Sequence, residues 1–522
     1  MPKKRFRLFG VERQTWIRLF FQSNSTLAIA VLFLIMLFLL KEGVGFFPQH
    51  LENLKIYRLA GLEFVANINE QIDAHTALKR LLAEIRLEQF RHLTEVEKKS
   101  AGQVQTELAE FDAAASQFKK SVYPLRALAS KLGDAASQLK DRHVIAAHQK
   151  EHVRALIAAG EREKAAEIHP ETISFERETA IFNEAIPHYK EVTASFKKEL
   201  LIALRALPEG LTEHSRQSLK HFHSLTLNYV ETFPATAHRL EVWRYDAKVP
   251  ALRAVSAFLF GREWVTNSYW QDFYGVLPLL TGSFLIASLA IAISVPFGIG
   301  AAVFVNQIAS RREREIIKPA IEFIQAIPSV VLGFFGIVVL GETIRALSQS
   351  EYLSWIPFFP IQERLNIFTA GLLLALLAVP TIFTLAEDAI NNVPTSFIQA
   401  SYALGATRMQ TILRVIVPTA LSGIIAAVLL GFGRVIGETM VVLLVAGNRI
   451  AIPDFTAGLG VLFQPAHTMT GIIAQEMGEV VPGSLHYRAL FIVGIFLFLI
   501  SLALNYAARS ATKKFALSQG HL

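Results

Sequence analysis

Six stretches of this 522-residue chain are apolar for longer than a water-soluble fold has use for, and they limit what it is able to become. They fall at about 27–40, 276–306, 320–340, 367–386, 421–446 and 489–508, the first extendable back toward Gln22. A helix needs about 20 apolar residues to cross a bilayer, where backbone N–H and C=O groups must be satisfied without water. The expected fold class is therefore all-α, a polytopic membrane protein with six transmembrane helices. Pro296, Pro328 and Pro380 fall in or near these blocks, where neighbouring helices re-satisfy a freed carbonyl. The pairs Gly298/Gly300, Gly333/Gly336 and Gly431/Gly433 are places where helices are expected to approach closely.

Basic residues set the expected orientation, because short connections on the cytoplasmic side are enriched in Lys and Arg. One set of segments holds Lys3, Lys4, Arg5, Arg7, Arg13 and Arg18, then Arg311, Arg312, Arg314 and Lys318. It also holds Arg408 and Arg414, then Arg509, Lys513 and Lys514. The opposite set of short segments has only Arg345, Arg364, Arg449 and Arg488. Both termini are thus expected in the cytoplasm, as tails over 1–21 and 509–522. The first block has no small-x-small site after it; the chain continues KEGVGFF. It reads as an uncleaved anchor helix over 22–40, with a cleaved signal peptide as the open alternative.

That topology puts 41–275 outside the cytoplasmic membrane. The stretch is rich in Lys, Glu, Gln, Ala and His, with apolar residues at helical spacing (Leu78, Leu82, Ile85; Val153, Leu156, Ile157). Pro124, Pro170, Pro187, Pro208, Pro234 and Pro250 punctuate it into several helices. It is expected to be an α-helical extracytoplasmic domain with a solvated surface; the sequence leaves its role open. The chain has no cysteine, which excludes disulfides, thiolate metal sites and a cysteine nucleophile. The net charge of +7 sits beside the apolar blocks, so it argues for membrane orientation and against nucleic acid.

The cytoplasmic segment 387–420 reads as two short helices around a glycine. Ser396 with Gln399 has capping-box spacing, and Gly405 permits a left-handed end to the first helix. A second helix is expected from Thr407 to Val417, with Pro418 opening the next span. Such a helix-turn-helix suits a mechanical handle between two membrane helices. At this point the chain resembles the permeases of binding-protein-dependent ABC importers, which carry the motif EAA-x3-G-x9-I-x-L-P in a cytoplasmic loop. Here it stands as Gln399-Ala400-Ser401, Gly405, Val415, Val417 and Pro418, with spacing intact and Gln, Ser and two Val as departures. The resemblance implies that the loop inserts into a groove on an ATPase subunit.

Three further runs narrow the resemblance to PstC-type phosphate permeases. They are AIPSVVLGFFG (Ala326 to Gly336), GRVIGETMVVLLVAGN (Gly433 to Asn448) and TMTGIIAQEMGE (Thr468 to Glu479). The resemblance covers roughly 255–510 and the first anchor, with 276–508 as the permease domain. It implies a phosphate importer with a second, PstA-like permease, a dimer of PstB-like ATPases and an extracytoplasmic phosphate-binding protein, and no cofactor. Arg434 and Glu438 are expected within the fifth span, four apart and on one helix face. Each charge there costs about 2.5–3.5 kcal/mol to insert, so such residues face the protein interior or a water-filled path. The resemblance implicates both in translocation; a structural ion pair is the open alternative.

The chain has no phosphate-binding loop of the Gly-x4-Gly-Lys-Ser/Thr type, so ATP hydrolysis is expected of a partner and no catalytic residue is expected here. His148 and His152 are four apart but lack a third ligand, and no metal is expected. Glu476 and Glu479 either line the outer mouth or cap a loop. Two rivals are open: a permease for another oxyanion, sulfate or molybdate, and a membrane-anchored sensor. The sensor leaves five spans unexplained.

Overall fold

The computed structural model describes residues 7–8, 11–266, 272–353, 355–356 and 358–519. Lys3, Lys4 and Arg5 of the basic N-terminal cluster lie outside the described residues. The chain divides into two compact units. One takes in residues up to His50, Leu252–Thr266 and everything from Phe273 onward; the other is built on Leu51–Ala251. The structure is helical throughout. Among the described residues the only strands are two antiparallel pairs, Arg7–Leu8 with Val11–Glu12 and Trp264–Val265 with Phe273–Tyr274.

Among the described residues six helices are long and apolar enough to span a bilayer. The first lies in α1 (Arg13–Val44) and the second is α2 (Leu277–Ile308). An amphipathic helix α3 (Arg311–Phe323) precedes the third span, α4 (Ser329–Ser348). The fourth, α5 (Ile367–Asn391), is followed by the short α6 (Thr395–Ala403) and the fifth span, α7 (Arg408–Ile436). Two short helices, α8 (Met440–Val445) and α9 (Met469–Glu476), lead to α10 (Leu485–Gln519), which contains the sixth span.

Helix α5 is the axis of this bundle. Its start is fixed by Asn366, which is fully buried and accepts from the Thr369 N–H at 2.9 Å as an N-cap. Ala370, Leu374, Ala378 and Ile382 put small and branched residues into one core with Ile286, Ala290, Val435 and Val441. Close approach follows from glycine. A Cβ on Gly298 of α2 would sit 3.0 Å from Ile382 Cγ2, and one on Gly431 of α7 would sit 2.9 Å from Ile382 Cγ1. Gly333 packs on Leu444, and Gly336 on Leu373 and Val445. Gly300 and Gly433, expected to do the same, face open space.

Two span boundaries differ from the sequence expectation. The apolar block at 320–340 is split, because Ser310 and Glu313 form a capping box that starts α3 (Ser310 N–H to Glu313 Oε2, 2.7 Å). Ile317 and Ile321 then turn toward the core, Pro328 takes the N-cap position of α4, and the span runs on to Ser348. The block at 421–446 breaks at Gly437, so the fifth span begins earlier and ends at Ile436.

In the second unit, Leu62–Arg91, Tyr123–Ala158, Ala180–Arg205 and Glu213–Glu231 are the long helices. They bury an aromatic core that includes Phe64, Phe118, Tyr189, Phe196 and Phe222. Leu78, Leu82 and Ile85 are buried, as their spacing implies. Val153, Leu156 and Ile157 are not: the buried residues of Tyr123–Ala158 stop at Ala146, and its last turns run past the core. Pro187 lies inside Ala180–Arg205 and does not break it. Tyr189 Oη donates to Gln71 Oε1 at 2.7 Å and Tyr229 Oη to the Gln71 carbonyl at 2.9 Å. Beside them His75 is stacked on Phe118, and burial pushes its pKa down to about 4. His148 and His152 are exposed, and no group of three ligating side chains occurs among the described residues.

Candidate functional site: a stiff loop and a broken path

The loop between α5 and α7 is built to hold its shape. Gly405 has φ +82°, so α6 ends in the left-handed turn expected of it. The Thr407 side chain then caps α7 reciprocally with Gln410, a box that the sequence reading had not picked out. Ser401 Oγ and Thr411 Oγ1 lie 2.9 Å apart and pin α6 to α7. Beneath them Ile390, Val393, Ile412 and Ile416 are buried in one cluster with Val305 and Phe383.

Two details correct the sequence reading. The Ser396–Gln399 box does not form, because Pro394 occupies the N-cap position and leaves Ser396 inside the helix. Pro418 does not open the span. It lies within continuous α7, just after the π-helical turn Ile412–Ile416, whose wider spacing accommodates a residue with no N–H to give.

Gln399, Ala400 and Gly405 are exposed and Ser401 is half-buried. Around them Phe397, Tyr402, Leu404, Met409 and Leu413 form an exposed apolar crown, with Leu404 89% accessible. The same end of the bundle is cross-tied. Arg408 donates to the Gln307 carbonyl, and Arg314 donates to the carbonyls of Val305 (2.9 Å) and Asn306 (2.8 Å) at the end of α2. Glu387, 5% exposed, pairs with Lys318 of α3 at 2.8 Å, which raises the lysine pKa. No sequence pattern points to this pair, since 69 positions separate a loop lysine from a carboxyl at the end of a span.

The other end of α7 is different in kind. The helix stops at Ile436, and Gly437, Glu438 and Thr439 are unwound before α8 begins. Arg434 and Glu438 therefore do not share a helix face, and they form no ion pair. Arg434 is exposed and donates to Thr381 Oγ1 at 3.1 Å. Beyond α8 the chain returns to place Thr468 and Thr470 against the break, where Thr470 Oγ1 donates to the Glu438 carbonyl at 2.8 Å. Ser283 of α2 accepts from the Met469 N–H at 2.9 Å and closes the third side. Ser283, Glu438, Thr468 and Thr470 line a cavity of about 10 Å³ with Ile286 and Leu374 among its apolar walls. That is room for about one water. Sequence reasoning missed the three hydroxyls and Thr381; the TMTG run at Thr468 was the available signal.

Glu476 accepts from Trp264 Nε1 (3.2 Å) and pairs with His486 Nε2 (2.7 Å), tying the Trp264 strand to α9 and α10. Glu479 is exposed.

Residues 294–515 match the family described as binding-protein-dependent transport system inner membrane component. A probable ABC transporter permease, YqgH of Bacillus subtilis, is 34% identical across 46% of this chain and 74% of its own length. The chain belongs to this permease family. The phosphate transport system permease protein PstC of Haemophilus influenzae is 31% identical, covering 50% of this chain and 84% of its own. PstC of Mesorhizobium japonicum is 31% identical over 48% and 78%. Among solved structures, the inward-facing MetNI methionine ABC transporter aligns with 46% of this chain at 21% identity and a TM-score of 0.32, too weak a likeness to carry the fold. As a binding-protein-dependent permease with six apolar helices, the chain is a multi-pass membrane protein.

Proposed function

We propose that this permease is one membrane subunit of an ATP-driven phosphate importer, non-catalytic itself, with both termini and the α6 loop in the cytoplasm. The observation that carries the coupling role is the α6 loop: an exposed apolar crown on a capped, pinned and buried mount. A crown of that kind needs a partner to cover it. A mount that stiff passes a push to α5 and α7 together, not into a bending loop. The partner is an ATPase dimer, whose closure on ATP would drive the α6 loop through Gln399, Ala400, Ser401 and Gly405. A second permease completes the pore, and an extracytoplasmic phosphate-binding protein delivers the ion. The PstC relatives support phosphate as the ion. Arg434, whose guanidinium suits phosphate oxygens, and Glu438 line the path at the break in α7. The Leu51–Ala251 unit stands outside the cytoplasmic membrane.

The test is Leu404→Asp in the full chain, expressed with its ATPase and second permease. Leu404 is 89% accessible, so the fold should be untouched. Loss of the ATPase on co-purification and a drop in phosphate uptake of about tenfold or more are expected, because an apolar anchor in a partner's pocket carries much of the binding. Wild-type co-purification and uptake would overturn the coupling role; a wild-type complex that moves no phosphate would overturn the ion.

A further inference from the structure

The cavity at the break in α7 is lined by three hydroxyl-bearing residues and one acidic residue. Ser283, Thr468 and Thr470 are 4%, 3% and 6% exposed and all three line the cavity. Thr470 donates to the Glu438 carbonyl, and Thr468 Oγ1 lies 3.3 Å from Thr470 Oγ1 while accepting from the Gly471 N–H at 3.0 Å. With the Thr470 hydrogen already committed, Thr468 is the donor in that contact. Ser283 accepts from Met469, and among the described residues no acceptor engages its own hydroxyl hydrogen. Glu438 is among the residues lining the same cavity, and among the described residues no hydrogen bond or ion pair engages its carboxyl.

We propose that Ser283, Thr470 and Glu438 form a second selectivity element within the permease, favouring tetrahedral anions that keep a protonated oxygen over fully ionised ones. This rests on the phosphate reading. At about 10 Å³ the cavity is too small for such an anion, so the structure has the path closed here. Withdrawal of α9 opens it and frees the Thr470 hydroxyl from the Glu438 carbonyl. Ser283 and Thr470 then donate to any anion oxygen, and Arg434, exposed near the same break, supplies the positive charge. An ionised carboxyl accepts but cannot donate. Phosphate near neutral pH keeps a P–OH hydrogen to give to Glu438, whereas a fully ionised anion of the same size and charge turns a lone pair toward a lone pair. Sites built around a substrate hydrogen reject the analogue that lacks it, because a polar group is left unpaired.

Monofluorophosphate is the probe: it matches phosphate in shape and charge at neutral pH and has no P–OH. The reconstituted importer with its binding protein is assayed for uptake of both anions, and the phosphate-to-fluorophosphate ratio of kcat/KM is compared between chains. The binding protein is the same throughout, so any change in the ratio belongs to the permease. Glu438→Gln, whose amide accepts or donates as required, is expected to lower the ratio by about tenfold. Ser283→Ala is expected to raise KM for both anions and leave the ratio alone. An unchanged ratio in Glu438→Gln overturns the proposal while leaving the phosphate reading intact; a wild-type complex with no phosphate uptake removes that reading as well. If Glu438→Gln transports nothing at wild-type amounts of complex, the proposal is overturned, since selectivity predicts a changed ratio and not a dead path.

Discussion

The two ends of α7 are made of the same kinds of residue and behave as opposites. The loop end is tied at several points: Thr407 caps, Ser401 and Thr411 pin, Arg408 and Arg314 cover the carbonyls of α2, and Lys318 meets Glu387. At the other end the helix unwinds over Gly437 to Thr439, and Arg434 and Glu438 go without each other. Under the proposed function the difference divides labour between a lever and a path. A lever must be rigid where it is pushed, and a path must be loosely held where it opens, because an unwound backbone is tolerated within a membrane only where protein or a cavity surrounds it. Both ends are read off one 29-residue helix.

The strongest way to break that contrast is at Arg434. Arg434→Gln keeps the bond to Thr381 within reach of an amide and removes the charge. If the open end is the path, phosphate uptake falls by about 100-fold with normal assembly, the scale of a lost charge-assisted contact of about 3 kcal/mol. Normal uptake at normal abundance would return Arg434 to a structural role and make the looseness of this end incidental.

How much of this was legible in sequence differed between the ends. The loop end was nearly readable: motif spacing located Gly405 and its left-handed φ, since both are local. Even there Pro394 displaced the expected Ser396 cap, because a helix takes whichever start comes first. The open end was read wrongly. Arg434 and Glu438 are four apart, which a continuous apolar block from 421 to 446 turns into one face. Only tertiary contact reveals the break, with Thr470 taking the carbonyl that the helix gives up. The span at 320–340 failed for a related reason, since hydropathy averages over the turn between α3 and α4. The glutamate Glu387 looked like a loop residue because its partner Lys318 is distant in sequence and near in space.

That ion pair gives the intermediate test of the stiff end. Lys318→Ala leaves the Glu387 carboxyl buried without its cation. The lysine is 38% exposed, so part of the interaction is already screened, and a loss of about 1–3 kcal/mol is expected in denaturant unfolding of the purified chain. Adding Glu387→Gln should recover much of it, as replacing both partners of a buried pair costs less than removing one. If Lys318→Ala unfolds like wild type, the loop end owes its stiffness to caps and packing alone.

The smallest expected effect separates packed from unpacked surface beside the break. Gly431 and Gly433 lie two residues apart on α7. A Cβ at 431 would press on Ile382 Cγ1 at 2.9 Å, and one at 433 would meet nothing within 4 Å. Gly431→Ala should cost about 1 kcal/mol or slightly more, because the neighbour is the root of a branched side chain and not a free tip. Gly433→Ala in the isolated chain should gain up to about 1 kcal/mol from helix propensity, with nothing to oppose it. The same two variants in the assembled transporter answer a different question. Gly433 stands next to exposed Arg434, so a companion permease covering this face would turn the open position into a tight one. Gly433→Ala would then stabilise the chain by itself while lowering the yield of complex, and a gain in both would place the companion on another face.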